Sequence, residues 1–205
     1  MVEIEYTEIE NKIIACAEKE FLEKCYDLTT MSGIAKKAGV TRTIMNYYFR
    51  TKKRLYEVVI QHFWARVYGQ IMFYLGSSAP VDEKMRSIIN TYFNLFSEYP
   101  LLPRFIVNEM HRDMAYLFQI AEANGFGEYL KAAKDMLEKG VTAGTLKPLK
   151  FEDYIMTIVS QVIFPFLTAP AFGLDLTQES EEKTKFLTHW KQQVYENLKS
   201  MLTVH

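Results

Sequence analysis

Apolar positions recur at helical spacing through most of the chain, and no stretch shows the alternation of a strand. Ile9, Ile13, Cys16, Ala17, Glu20, Phe21 and Leu22 fall near one stripe of a helix predicted over residues 8–26. After Thr30, the residues Ile34, Ala35 and Ala38 give a second, short helix an apolar face, and Gly39-Val40 breaks it. Met45 and Phe49 then repeat at i and i+4 behind Thr41. Thr30 and Thr41 both stand where an N-cap belongs. Two short helices about a tight turn, with the first helix closing over them, form a helix-turn-helix, whose second helix enters the DNA major groove.

Beyond this motif the helical pattern continues. A long helix is predicted over 53–75, apolar on more than one side, and residues 76–80 (GSSAP) end it. Asp82 and Glu83 suit the first turn of the next helix, along which Met85, Ile89, Tyr92, Phe96 and Tyr99 are spaced by four, three, four and three. Pro100 and Pro103 precede a shorter helix over 104–112, which leads into another over 114–123. Asn124-Gly125 is a turn, and Gly144 closes a helix over 126–143. After a linker at 146–149, the last helices cover 151–166 and 179–202. Phe186, Trp190, Val194, Leu198 or Asn197, and Met201 mark the apolar side of the last one. The chain is therefore all-α. A three-helix DNA-binding domain is expected over 1–52, and a second, helical domain over 53–205, the one to which the family resemblance given below assigns ligand binding and dimerisation.

Charge sharpens the picture. The 205 residues carry a net charge of only −1. Yet residues 31–66 hold Lys36, Lys37, Arg42, Arg50, Lys52, Lys53, Arg54 and Arg66 against Glu57 alone. A solvated basic face would read the same way, but this one coincides with the turn motif.

On the reading helix, Arg42, Thr43, Ile44, Asn46 and Tyr47 are the outward candidates, and Ser32, Thr41 and Tyr48 flank them. Arg42 and Asn46 are i, i+4 neighbours, as are Thr43 and Tyr47, so they form two adjacent stripes. Arginine can clamp a guanine edge, asparagine an adenine edge, and threonine or isoleucine can meet a thymine methyl. For Tyr47 and Tyr48, packing between helices is the competing reading.

Thr30, Ile34-Ala35, Ala38-Gly39-Val40-Thr41-Arg42, Tyr48-Phe49, Lys52 and Leu55 resemble the diagnostic positions of the TetR family of bacterial transcriptional regulators. The motif spans about a quarter of the chain, and the remainder resembles the family in length, helical content and layout. Thr43 stands where a small residue is frequent in the family and Asn46 where tyrosine is frequent, which leaves the operator unpredictable. The resemblance implies phosphate contacts from Thr30, Tyr48 and Lys52, contacts that set register without reading sequence. It also implies a homodimer, joined through the last two helices as a four-helix bundle, on a palindromic double-stranded operator with readers roughly 34–36 Å apart.

The same resemblance implies an effector pocket among the central helices. Met72, Tyr92, Phe96, Phe105, Met110, Met114, Phe118, Tyr129 and Phe164 are the candidate lining for a small apolar or aromatic effector, with Asn94, Glu109 and His111 able to orient a polar group. Plain core packing explains any one of them equally well.

Other functions find less support. Residues 155–174 carry no charge over a bilayer-spanning length, but Pro165 and Pro170 interrupt them and their flanks, Asp153 and Asp175, lack a Lys/Arg bias. A subunit interface explains the same apolarity. Cys16 and Cys25 lie nine apart on one predicted helix, too far along its axis for a mutual disulfide, and read as the reduced thiols of a cytoplasmic protein. The segment MVEIEYTEIE lacks a signal-peptide profile. His62, His111, His189 and His205 form no metal-spaced set, and neither a phosphate-binding glycine loop nor a Gly-x-Ser-x-Gly elbow occurs, so no enzyme, metal or cofactor is expected. The expected protein is a cytoplasmic repressor that an effector releases from DNA. Two alternatives remain: a DNA-binding protein controlled by a partner protein, and a ligand-binding protein without DNA binding.

Overall fold

The computed structural model describes residues 6–204; the N-terminal segment through residue 5 and His205 lie outside the described residues. Among the described residues there are nine α-helices, one short 3-10 turn and no named strand. They form two compact units, one built from the chain up to Ala65 with Arg104–Phe126, the other from Arg66–Pro103 with Gly127–His205. The first unit thus takes in more than the 1–52 segment, because most of a central helix joins it.

In the first unit, α1 (Glu8–Leu28) opens on a reciprocal capping box, in which the Thr7 hydroxyl accepts from the Glu10 N–H and the Glu10 carboxylate accepts from the Thr7 N–H. Its regular path ends at Cys25, which has φ 59° and ψ −179°. Next, α2 (Met31–Ala38) is capped by the Thr30 hydroxyl on the Gly33 N–H at 3.0 Å, and Gly39 ends it with φ 64°, the left-handed conformation that a glycine adopts without penalty. Thr41 caps α3 (Arg42–Tyr48) on the Ile44 N–H at 3.2 Å. Ile13, Ile14, Ala17, Phe21, Ile34, Ala38, Met45, Phe49 and Leu55 are buried and form the core that holds the three helices together.

Two further helices complete this unit. α4 (Lys52–Gly76) contributes its first part, through Ala65. α6 (Leu102–Glu122) is interrupted at Asp113 (φ −160°, ψ 78°), whose carboxylate caps the second half by accepting from the Tyr116 N–H at 3.0 Å. The sequence placed this break between 112 and 114. It placed the helix start later than observed, because Pro103 lies within the first turn, where its missing N–H costs nothing.

The second unit holds the rest of α4, α5 (Val81–Glu98), α7 (Phe126–Thr142) from its second residue, α8 (Phe151–Thr168) and α9 (Glu181–Leu202). α8 runs through Pro165, as the expected span of 151–166 requires, and the 3-10 turn Ala169–Phe172 follows its end. The α5–α9 packing is clamped by the Tyr195 hydroxyl donating to Asp82 at 2.7 Å, with the Arg86 guanidinium 3.6 Å from the Tyr195 ring centre. α7 passes so close to the following linker that a Cβ on Gly140 would lie 2.7 Å from Leu146 Cδ1. On α9, Val194, Tyr195, Leu198 and Leu202 are buried, while Met201 is exposed.

Candidate nucleic-acid interface

Arg42, Thr43, Ile44, Asn46 and Tyr47 all lie exposed along α3, whereas Met45 and Phe49 are sealed into the core. The heptapeptide RTIMNYY thus turns one apolar residue inward and presents a continuous outer face. Tyr47 is 78% exposed, a large amount for an aromatic side chain on a seven-residue helix, and its ring meets that of Tyr48 edge-on at 5.0 Å. Tyr48 itself is half-buried. The Arg42 guanidinium donates to the Ser32 hydroxyl on α2 at 3.1 Å, so the first two turns of the motif share a polar edge. Thr30 is exposed with its hydroxyl already engaged as a cap.

Lys52 is placed differently from a free phosphate ligand. Its ammonium donates to the carbonyls of Tyr26 at 2.8 Å, Thr29 at 3.0 Å and Asp27 at 3.4 Å, and lies 4.3 Å from the Tyr26 ring centre. It satisfies the last carbonyls of α1 and binds that end to the start of α4.

On the other side of Tyr26 is a buried carboxylate that the sequence suggested could orient a ligand. Glu109, 1% exposed, accepts from the Tyr26 N–H at 3.0 Å, the Tyr56 hydroxyl at 2.8 Å and Arg112 Nε at 2.6 Å. The Arg112 guanidinium lies 4.4 Å from the Tyr26 ring centre, and burial together with the Glu109 bond holds the Tyr56 phenol neutral far into alkali. Glu20 is another buried acid. It pairs with Lys37 of α2 and, at 2.9 Å, with Lys24, and although burial alone would raise its pKa, those two ammonium groups hold it below the ordinary glutamate value. Neither network is visible as periodicity. A polar residue at an apolar stripe position, as Glu20 is, was the only signal.

Residues 13–59 match the family model described as bacterial regulatory proteins, tetR family. That match covers the segment that contains α2 and α3, about a quarter of the chain. The whole fold is shared with solved structures of transcription regulators. The ketosteroid transcriptional regulator KstR2 of Mycobacterium tuberculosis superposes with a TM-score of 0.77 at 15% identity, covering 100% of both chains. The fatty acid degradation regulator FadR from Bacillus halodurans gives 0.74 at 19% identity, covering 96% of this chain and 97% of the other. A TetR-family transcription regulator from Marinobacter aquaeolei gives 0.73 at 14% identity, covering 96% of each. A comparison with curated protein sequences finds no match.

The nine effector-lining candidates fall in different places. Phe105, Met110, Met114 and Phe118 belong to the first unit. Phe105 is buried against Tyr56 at 6.2 Å between rings, whereas Met110, Met114 and Phe118 are exposed. Met72, Tyr92, Phe96, Tyr129 and Phe164 belong to the second. There Tyr92, Phe96 and Tyr129 come together: the Tyr92 and Tyr129 hydroxyls are 3.3 Å apart, and the Tyr92 and Phe96 rings 6.1 Å. Burial pushes the pKa of both phenols up, so they remain hydrogen-bond donors at any physiological pH. Phe164 is 63% exposed on α8, and Asn94 and His111 are exposed. Among the described residues, no three His, Cys, Asp or Glu side chains gather to hold a metal ion.

Proposed function

We propose that this regulator represses transcription from the cytoplasm, binding a palindromic operator as a homodimer and leaving it when a small apolar or aromatic effector binds. The observation that carries DNA reading is the exposed face of α3, on which Arg42, Thr43, Ile44, Asn46 and Tyr47 stand clear of the core at the centre of the most basic stretch of the chain. Thr30 and Tyr48 supply backbone contacts beside it, and Ser32 steadies Arg42. A homodimer is supported by α8, which leaves Met156 69%, Val159 45% and Phe164 63% exposed. Residues Phe151–Phe172 are long and apolar enough to cross a membrane by length and composition. We assign that face to a second copy of the chain, with no membrane.

The effector reading rests on Tyr92, Phe96 and Tyr129, which offer aromatic surface together with two phenol hydroxyls. An effector acts only through its different affinity for the operator-bound and released states, typically about 1–3 kcal/mol of coupling. The test is fluorescence anisotropy of the purified chain on its own upstream intergenic DNA across a salt series. Tight binding to one palindromic segment, with two chains per site and a steep salt slope, is expected. Equal and weak binding to every duplex would overturn the reading.

A further inference from the structure

A second feature of the regulator lies apart from the aromatic group. Within the second unit a cleft of about 560 Å³ opens where the end of α4, the loop after it, the start of α5 and α7 come together. Its volume is within the roughly 300–1,000 Å³ of small-molecule sites. Met72, Ala132 and Met136 form its apolar wall, and Lys84, Asp135 and Lys139 its charged members. Lys84 is held in place by donating to the Leu75 carbonyl at 3.0 Å, which leaves two of its ammonium donors for another partner. Lys139 enters no ion pair among the described residues, because the neighbouring Glu138 pairs with Lys134 at 3.8 Å. Two lysines against one aspartate give the lining an excess of one positive charge, alongside a wall of methionine and alanine.

We propose that this cleft binds a small apolar carboxylic acid as its monoanion. The carboxylate sits between Lys84 and Lys139, and the hydrocarbon body lies on Met72, Ala132 and Met136. Methionine side chains adapt to such a body without demanding one shape. Asp135, one turn before Lys139 on the same helix, disfavours dianions, so the site selects by charge as well as by length.

Calorimetric titration of the purified chain with octanoate, octan-1-ol and octylamine at neutral pH tests this. Octanoate is expected to saturate at one molecule per chain and to bind more tightly than either other probe. Lys139→Gln, a surface change, is expected to weaken octanoate about tenfold, the scale of one charge-assisted hydrogen bond. Ala132→Phe, with folding checked by thermal melting, is expected to abolish binding by filling the wall. No saturable binding of octanoate, tighter binding of octylamine, or an unchanged affinity in both variants would each overturn the proposal. The titration contains no DNA, so its failure leaves operator binding untouched, and a failure on the operator leaves the cleft untouched.

Discussion

Glu109 and Tyr26 meet across 83 positions of sequence, the carboxylate of one accepting the backbone N–H of the other at 3.0 Å. Tyr26 is the residue after the break in α1, where a helical N–H has lost its regular partner, and α6 supplies the acceptor. The same carboxylate also holds Tyr56 and Arg112, so its removal leaves a cation and two donors without it. Glu109→Ala is expected to cost about 3–5 kcal/mol in urea unfolding. The double variant Glu109→Leu with Arg112→Leu is expected to recover part of that loss, since it takes away the stranded cation too. A double variant less stable than Glu109→Ala would show that the pair is not the source of the cost.

Glu20 makes the regulator sensitive to acid. Its pKa in the folded chain is below the ordinary 4.5, so the unfolded chain binds the proton more readily. The stabilisation it supplies is therefore complete above pH 4.5 and is lost as pH falls below that value through the folded-state pKa. Glu20→Gln is expected to flatten the acid limb of a stability–pH profile and leave the neutral region lower. An acid limb of unchanged slope would place the titration elsewhere.

Cys25 occupies a backbone region with positive φ and extended ψ that is close to glycine-only. Cys25→Gly is expected to raise stability by about 1 kcal/mol, less any loss from the Asn108 amide that now donates to its thiol at 3.3 Å. Cys25→Val is expected to lower it, because a branched Cβ fits that conformation worse. Urea midpoints for the two variants on the same side of the native chain would contradict the strain argument.

Lys52→Ala tests what the amine does. With the carbonyls of Tyr26, Asp27 and the cap residue Thr29 around it, its loss is expected to cost about 1 kcal/mol of stability and to change the slope of log affinity against log salt by clearly less than one unit. A fall of a full unit would assign the ammonium to a phosphate. Arg42→Ala, by contrast, is expected to relax discrimination at one base pair by about 1–3 kcal/mol, and equal loss on all base variants would remove it from sequence reading.

Met156→Glu is expected to produce monomers in sedimentation equilibrium. It places a charge on the exposed apolar face of α8 and disturbs no buried residue. Unchanged dimers would move the interface off this part of the helix.

Much of this architecture was legible in the sequence, for reasons that differ by region. The Thr30 and Thr41 caps, the Gly39 turn and the break in α6 are local: each depends on one residue type and its immediate neighbours, so spacing alone reveals it. The outward face of α3 was legible because a seven-residue helix with Met45 facing inward has few other ways to turn. Glu109 and Glu20 were not, because their meaning lies in partners from other helices. Periodicity records which positions are apolar, and it cannot tell a buried acid with two cations from a misplaced surface residue.

Because the parts that hold α3 in place are Thr41, Met45 and Phe49, and the parts that face outward are other residues, the scaffold and the lettering of this helix are chemically independent. Five side chains can be exchanged as a cassette without changing a cap, a core contact or the Lys52 clasp. If α3 reads the operator as proposed, a lineage carrying this fold acquires a new operator through a handful of codon changes at these positions. On the same proposed reading, Thr43 and Asn46 are the positions at which an engineer would begin to retarget the protein.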